Sequence, residues 1–101
     1  MSDFNKANKL VVYNFFAHWC NPCKMQAPII EKVEQKYINK VIFEKIDIDV
    51  QHEIVRKHNI MSVPTIIFLH DNVEVCKRLS GFTSEDSICA IIDNLLEKIG
   101  E

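Results

Sequence analysis

The chain switches between two hydrophobic periods. Residues 10–16, Leu-Val-Val-Tyr-Asn-Phe-Phe, are almost continuously apolar and rich in β-branched and aromatic side chains. Such a run suits a strand buried on both faces. After Cys20-Asn21-Pro22-Cys23 the period becomes helical. Ile29, Ile30, Val33 and Tyr37 recur on one side, while Glu31, Lys32, Glu34, Gln35 and Lys36 fill the other. Pro28 predicts a kink or a missing hydrogen bond in this helix. Residues 41–47 predict a second strand, and residues 51–58 a short helix with Ile54 and Val55 inward. A third strand follows Pro64 over 65–69. Asp71-Asn72 is turn chemistry, and a fourth strand over 73–79 completes a hairpin. Ser84 predicts a helix cap, ahead of an apolar stripe of Ile88, Ile91, Ile92, Leu95, Leu96 and Ile99.

The order β-α-β-α-β-β-α predicts an α/β fold. Its first strand, helix and second strand form a right-handed parallel unit. The terminal hairpin is antiparallel, so the expected sheet is mixed, with about four strands and helices on both faces. Two glycines, three prolines and no repeat or linker predict a single domain over residues 1–101. Hydrophobic residues at 48% and charged residues at 26% describe a folded domain rather than a disordered chain. A net charge of -2, with both signs interspersed, leaves no basic field for nucleic acid or anionic lipid. No apolar run approaches the ~20 residues that span a bilayer. Met1-Ser2-Asp3-Phe4-Asn5-Lys6 has no apolar signal core, so the expected location is the cytoplasm.

Four cysteines, at 20, 23, 76 and 89, divide into one close pair and two others. The close pair stands where the buried strand gives way to the helix. Two thiols at that spacing can close a disulfide across the first helical turn, and N–H groups at a helix start stabilise a thiolate. Pro22 suits the first turn, where its missing N–H would be unpaired anyway. Lys24 adds positive charge and Trp19 an apolar surface. The competing reading is half a zinc site completed by Cys76 and Cys89. Tetrahedral sites usually join two close-spaced pairs. Here the second pair is thirteen residues apart and divided between a strand and a helix. Redox chemistry is therefore favoured, with no metal and no bound organic cofactor, and Cys76 and Cys89 read as small half-buried side chains. His18 could tune the Cys20 thiolate, but reads as a surface residue. His52, His58 and His70 read as solvated. Lys45 reads as a strand-edge charge or a partner of Glu44 or Asp47. Asn14 reads as a buried amide with its hydrogen bonds satisfied.

Four motifs in order resemble the thioredoxin family: Phe16 to Pro28 around the cysteines, Phe43 to Asp49, Val63-Pro64-Thr65, and Ser80-Gly81. The resemblance implies a thioredoxin-like fold and a protein-disulfide reductase. It implies that Cys20, expected to be exposed, attacks a substrate disulfide and that Cys23, expected to be shielded, resolves the mixed disulfide. Asn21 and Pro22 complete the redox motif. The bond before Pro64 would be cis, and Trp19, Val63, Pro64 and Gly81, with Phe82 beside them, would line the substrate groove. Disulfide-containing proteins are the implied substrates, and an NADPH-dependent thioredoxin reductase the implied source of electrons. An oxidase or isomerase of the same fold, or a binding scaffold with little turnover, is the alternative. Three departures matter. Asn21-Pro22 replaces the usual Gly-Pro. Asn14 stands where the family has a buried aspartate, so Cys23 must lose its proton to water or another group. The residues before the first strand are too few for the family's additional strand and helix. Residues 41–47 are thus expected at a sheet edge, or covered by an irregular N-terminal segment, in a chain that is mostly monomeric with a weak tendency to pair edge to edge through that strand.

Overall fold

The computed structural model describes residues 9–100. β1, Leu10–Phe16, pairs in parallel with β2, Val41–Asp47, from Leu10 opposite Val41 to Phe16 opposite Asp47. Its other edge pairs antiparallel with β3, Thr65–His70, from Leu10 opposite His70 to Phe15 opposite Thr65. Between β1 and β2 the chain forms α1, Asn21–Lys36, and between β2 and β3 the short α2, His52–Lys57. β4, Val73–Glu74, and β5, Leu79–Ser80, both pair antiparallel with β3. α3, Glu85–Ile99, closes the fold. The expected element order and mixed sheet are present, with one difference in the last hairpin.

Strand alternation separates two apolar layers. Leu10 and Val12 of β1, with Ile66 and Phe68 of β3, face Ile30 and Val33 of α1 and Ile88, Ile92, Leu95 and Leu96 of α3. Val11, Phe15, Ile46, Ile67 and Leu69 point to the opposite face, where Ile54 and Val55 of α2 pack. Full burial of a side chain of this size contributes ~1.5–3 kcal/mol. Phe15 and Phe68, both with no exposure, are therefore among the costliest to truncate. The helix ends are finished locally. Ser84 Oγ accepts from Ser87 N–H at 3.3 Å, and Gly100 takes the left-handed conformation at φ 95°. α1 runs unbroken through Pro28. The proline removes one backbone donor without ending the helix. Tyr37, at the C-terminal end of α1, donates its hydroxyl to Asp93 of α3 at 2.7 Å, which ties the two helices together.

The expected fourth strand over 73–79 is not continuous. Asp71 and Asn72 both have positive φ, 52° and 66°, the twist a two-residue hairpin needs. β4 then pairs Val73 with His70 and Glu74 with Leu69, but β5 resumes with Leu79 opposite Ile66. Residues 75–78 thus face only Ile67 and Phe68, and two residues are extra. The cause lies in the side chains. Cys76 and Leu79 both pack on the layer of α1 and α3, and residues three apart share a face only where alternation breaks. Arg78 spans the excursion by a paired contact to Glu74, at 2.8 and 3.0 Å.

His58 also departs from expectation. It is half-buried, with its ring edge-on to Tyr13 at 5.8 Å and to Phe15 at 6.4 Å. Burial, and secondarily Lys57, lowers its pKa below the ordinary 6.5. The fold therefore favours the neutral ring. That contribution to stability is complete above the unfolded value and is lost as pH falls through the folded one. His58→Phe keeps an aromatic ring there and cannot ionise. Its thermal midpoint should fall less than the parent's between about pH 7 and about pH 5. Equal falls would remove His58 as a source of acid sensitivity.

Candidate active site

β1 ends at Phe16, and α1 begins at Asn21. Cys20 is the N-cap of α1. Its backbone is extended, at φ -94° and ψ 110°, and its N–H donates to Ala17 O at 3.2 Å. Its Sγ accepts from Cys23 N–H at 3.2 Å, the place an oxygen fills in an ordinary capped helix. Pro22 lies in the first turn, which carries no acidic residue, so no local negative charge offsets the positive end of the helix. Cys20 and Cys23 are joined as a disulfide, with Cα atoms 5.3 Å apart. Both are only 5% exposed. The expectation of an open Cys20 beside a shielded Cys23 is corrected for this oxidised state. Ala17 joins the pair in one small apolar cluster, and Phe16, Ile48 and Val63 pack against that cluster. Asn21 and Pro22 are exposed on the outer side.

The Val63–Pro64 bond is cis. Val63 packs against the cysteines, and Pro64 O accepts from Gly81 N–H at 2.9 Å. Gly81 has φ 87°, a conformation that favours glycine. Trp19 is 66% exposed and donates Nε1–H to Asp49 Oδ2 at 2.9 Å. Asp49 N–H in turn donates to Asp47 Oδ1 at 3.0 Å. His18 is a surface residue, as expected, with Nε2 3.3 Å from Asp47 Oδ2 and its ring edge-on to Phe16. Lys45 is exposed and lies over the Phe16 ring, 5.6 Å from its centre. Phe82 and Met61 add exposed apolar surface on the two loops that carry Gly81 and Val63.

Asn14 is buried at 4% exposure, but the expectation of satisfied bonds fails. Its Oδ1 meets no donor among the described residues. An unpaired buried acceptor costs about 1–3 kcal/mol. Asn14 shares a small cavity with Cys23 and Lys45, which is its register partner on β2. Cys76 and Cys89 lie elsewhere. Both pack on the layer of α1 and α3, and burial raises the Cys76 thiol above its ordinary value.

Sequence reading passed over two side chains. Asp49 holds Trp19, and only the fold brings them together across thirty positions. Gln26 is completely buried. Its Nε2 donates to Thr83 O at 3.0 Å, and its Oε1 accepts from Thr83 N–H at 2.8 Å. The signal was present as a polar residue within the buried stripe Cys23, Gln26, Ile30 and Val33. This double bond secures the loop of Gly81 and Phe82 to the helix that carries the cysteines.

Residues 1–94 match the family model described as Thioredoxin. Thioredoxin-1 of Drosophila yakuba is 35% identical over 91 residues, covering 85% of this chain and 81% of that protein. The bifunctional thioredoxin reductase/thioredoxin of Mycobacterium leprae is 36% identical over 80 residues, which span 79% of this chain and 17% of that one. The solved germline-specific thioredoxin Deadhead of Drosophila melanogaster superposes with a TM-score of 0.83 at 29% identity, covering 93% of this chain and 88% of that one. The chain belongs to the thioredoxin family, and with Cys20 and Cys23 at disulfide geometry it is a thiol–disulfide oxidoreductase of the reductase type.

Gln26→Leu removes both partners of Thr83 and leaves a backbone donor and acceptor unpaired. The variant should lose about 1–3 kcal/mol of stability, and the Thr83 amide should exchange faster. Unchanged protection of that amide would show that the loop is held by other contacts.

Proposed function

We propose that Cys20 and Cys23 reduce disulfides of protein substrates in two exchange steps. Cys20 Sγ attacks a substrate sulfur and forms a mixed disulfide. Cys23 Sγ then attacks Cys20 Sγ, the substrate leaves as a thiol, and the Cys20–Cys23 disulfide remains. The observation that carries this reading is the cap contact from Cys23 N–H to Cys20 Sγ. The positive end of the helix favours a thiolate at the first sulfur, and the second sulfur follows one turn along α1. Asn21 and Pro22 set the first turn and so the poise of the pair. An extended substrate segment pairs with the backbone at Val63 and Pro64, in the manner of an added strand. Trp19 and Gly81 flank it.

The oxidised pair is re-reduced by an NADPH-dependent thioredoxin reductase. Support comes from the Mycobacterium leprae relative, whose name joins both activities in one protein. The reading places the chain, as one domain, in the cytoplasm, where the free thiols of Cys76 and Cys89 persist. It acts as a monomer. Among the described residues β2 pairs only with β1, and Lys45 and Asp47 put charge on that edge.

Cys20→Ser should abolish insulin reduction with a dithiol donor. Cys23→Ser should stop after one step and accumulate mixed disulfides, visible as covalent adducts on non-reducing gels. Parent-rate turnover by Cys23→Ser would sink the two-cysteine mechanism. In sedimentation the chain should remain monomeric across the micromolar range. A concentration-dependent dimer that loses amide exchange along 41–47 would instead identify β2 as an association edge.

A further inference from the structure

The excursion at residues 75–78 and the last helix enclose a groove of about 580 Å³, within the ~300–1,000 Å³ of ordinary binding sites. One wall is the chain from Val75 to Ser80. The other is one face of α3, where Ala90, Ile91, Asn94, Leu95 and Lys98 stack on successive turns. Leu95 is buried at the floor, with Cys76, Leu79 and Ile91 half-buried around it. Bulged chain re-aims side chains at a strand edge. Here it turns Cys76 and Leu79 together onto the layer of α3 and leaves Val75 and Lys77 on the outer lip. The charge on the groove has one sign. Lys77, Arg78 and Lys98 line it, and among the described residues no aspartate or glutamate does. The whole chain carries -2, so this is a local reversal. Arg78 is neutralised by Glu74 at 2.8 Å. Lys77 and Lys98 take part in no ion pair among the described residues. Lys98 reaches over the floor: burial and Glu74 raise the Cys76 thiol, and the charge of Lys98 opposes them.

We propose that this groove binds a short segment of a partner protein in which aliphatic side chains are flanked by carboxylates. Several observations choose that occupant. The floor accepts aliphatic side chains, and the two unpaired lysines complement carboxylates. From Ala90 to Lys98 the wall on α3 is about 12 Å long, the reach of about four extended residues. Apolar surface continues beyond the groove to Val73, which is exposed and which strand alternation places on the same side as exposed Val75. A small molecule does not cover so much. The lips, Val75, Lys77, Ala90, Asn94 and Lys98, are all exposed, whereas a small-molecule site encloses most of its ligand. The groove also adjoins the active site. Ser80 and Thr83 line it and bracket Gly81 and Phe82, and Gly81 N–H donates to Pro64 O beside the cysteines. A protein held at Val63 and Pro64 therefore lies one loop away. Two linked contacts add through effective concentration, so the groove raises affinity for partners with such a segment and takes no part in sulfur exchange. As an aid to redox partners it rests on the reduction proposed above. As a binding groove it stands without it.

The test titrates a disulfide-free peptide, acetyl-Glu-Asp-Leu-Ser-Leu-Asp-Glu-amide, into the oxidised, isotope-labelled full chain and follows its amide signals. A control peptide carries Lys in place of every acid. The acidic peptide should shift residues 75–80 and 90–98 saturably and leave residues 19–23 in place. Its binding should weaken severalfold between about 0.15 M and about 1 M salt, as the screening length drops from ~8 Å to ~3 Å. Lys98→Glu should weaken the acidic peptide about tenfold and bring the lysine peptide into the groove. Reduction of Ellman's reagent by that variant should keep the parent rate. A peptide disulfide that carries the acidic segment should show a lower KM than one that carries the lysine segment, with equal kcat, and Lys98→Glu should erase that preference. Four results would overturn the proposal, and none needs a variant to fold. Shifts confined to residues 61–64 and 81–82 would place the acidic peptide at the cysteines instead. Equal binding of the lysine peptide would remove charge as the basis. Tighter binding of decanoate at the same amides would assign a small-molecule site. Shifts there that follow protein concentration without any peptide would assign the groove to a second copy of the chain. A chain that binds the acidic peptide but reduces no disulfide would instead overturn the reduction and leave the groove standing.

Discussion

β1 is hydrogen-bonded along both edges and covered on both faces, and this double enclosure decides where chemistry can take place. A strand so enclosed reaches the surface only at its ends. At its carboxyl end, Phe16 is followed within four residues by the cap of α1. The first N–H groups of a helix lack partners within it, and they carry its positive pole. Cys20 occupies the cap, so a sulfur receives what an oxygen usually receives. The strand's burial supplies a rigid platform, and the helix start supplies the polarity. Neither alone makes a reactive thiol.

The remaining parts of the site come from distant stretches of chain, and the sheet register delivers them. β3 runs antiparallel to β1, so its beginning at Thr65 lies beside Phe15 near the end of β1. The cis Val63–Pro64 bond immediately before it is thereby carried to the cysteines. β5 pairs with that same beginning of β3, Ser80 opposite Thr65, which brings Gly81 to the carbonyl of Pro64. Gln26 then fastens the following loop to α1 through both atoms of its amide. Parallel pairing of β2 with β1 brings Asp47 and Asp49 to the same end, where Asp49 holds the exposed Trp19. Three loops and one helix start are thus assembled by pairing to a single strand pair, β1 with β3, and its parallel neighbour.

Asn14 shows a polar side chain held at depth with its hydrogen bonds incomplete. A carboxylate at this depth would face a large desolvation penalty in its charged form. The amide avoids that charge but leaves Oδ1 without a donor among the described residues. It stands on the α1 side of the sheet, below Cys23 and beside a mouth lined by Lys24, Lys45 and His18.

The chain's own pattern determined the elements. β1 and β2 have the bounds that their apolar runs mark, and the caps at Ser84 and Gly100 follow from residue chemistry that acts over one turn. The Cys20/Cys23 pair was legible for the same reason: three residues across a helix start is a local geometry. Only the tertiary structure decided what depends on neighbours distant in sequence. The break in the fourth strand follows from Cys76 and Leu79 packing on one layer. The half-burial of His58 follows from Tyr13 and Phe15 beneath it. The covered state of Cys20, the bond from Gln26 to Thr83 and the orphaned oxygen of Asn14 are likewise matters of what lies across the fold. Periodicity and capping act within a few residues and are written in the sequence. Burial and hydrogen-bond satisfaction depend on surroundings that exist only once the sheet has brought remote segments together.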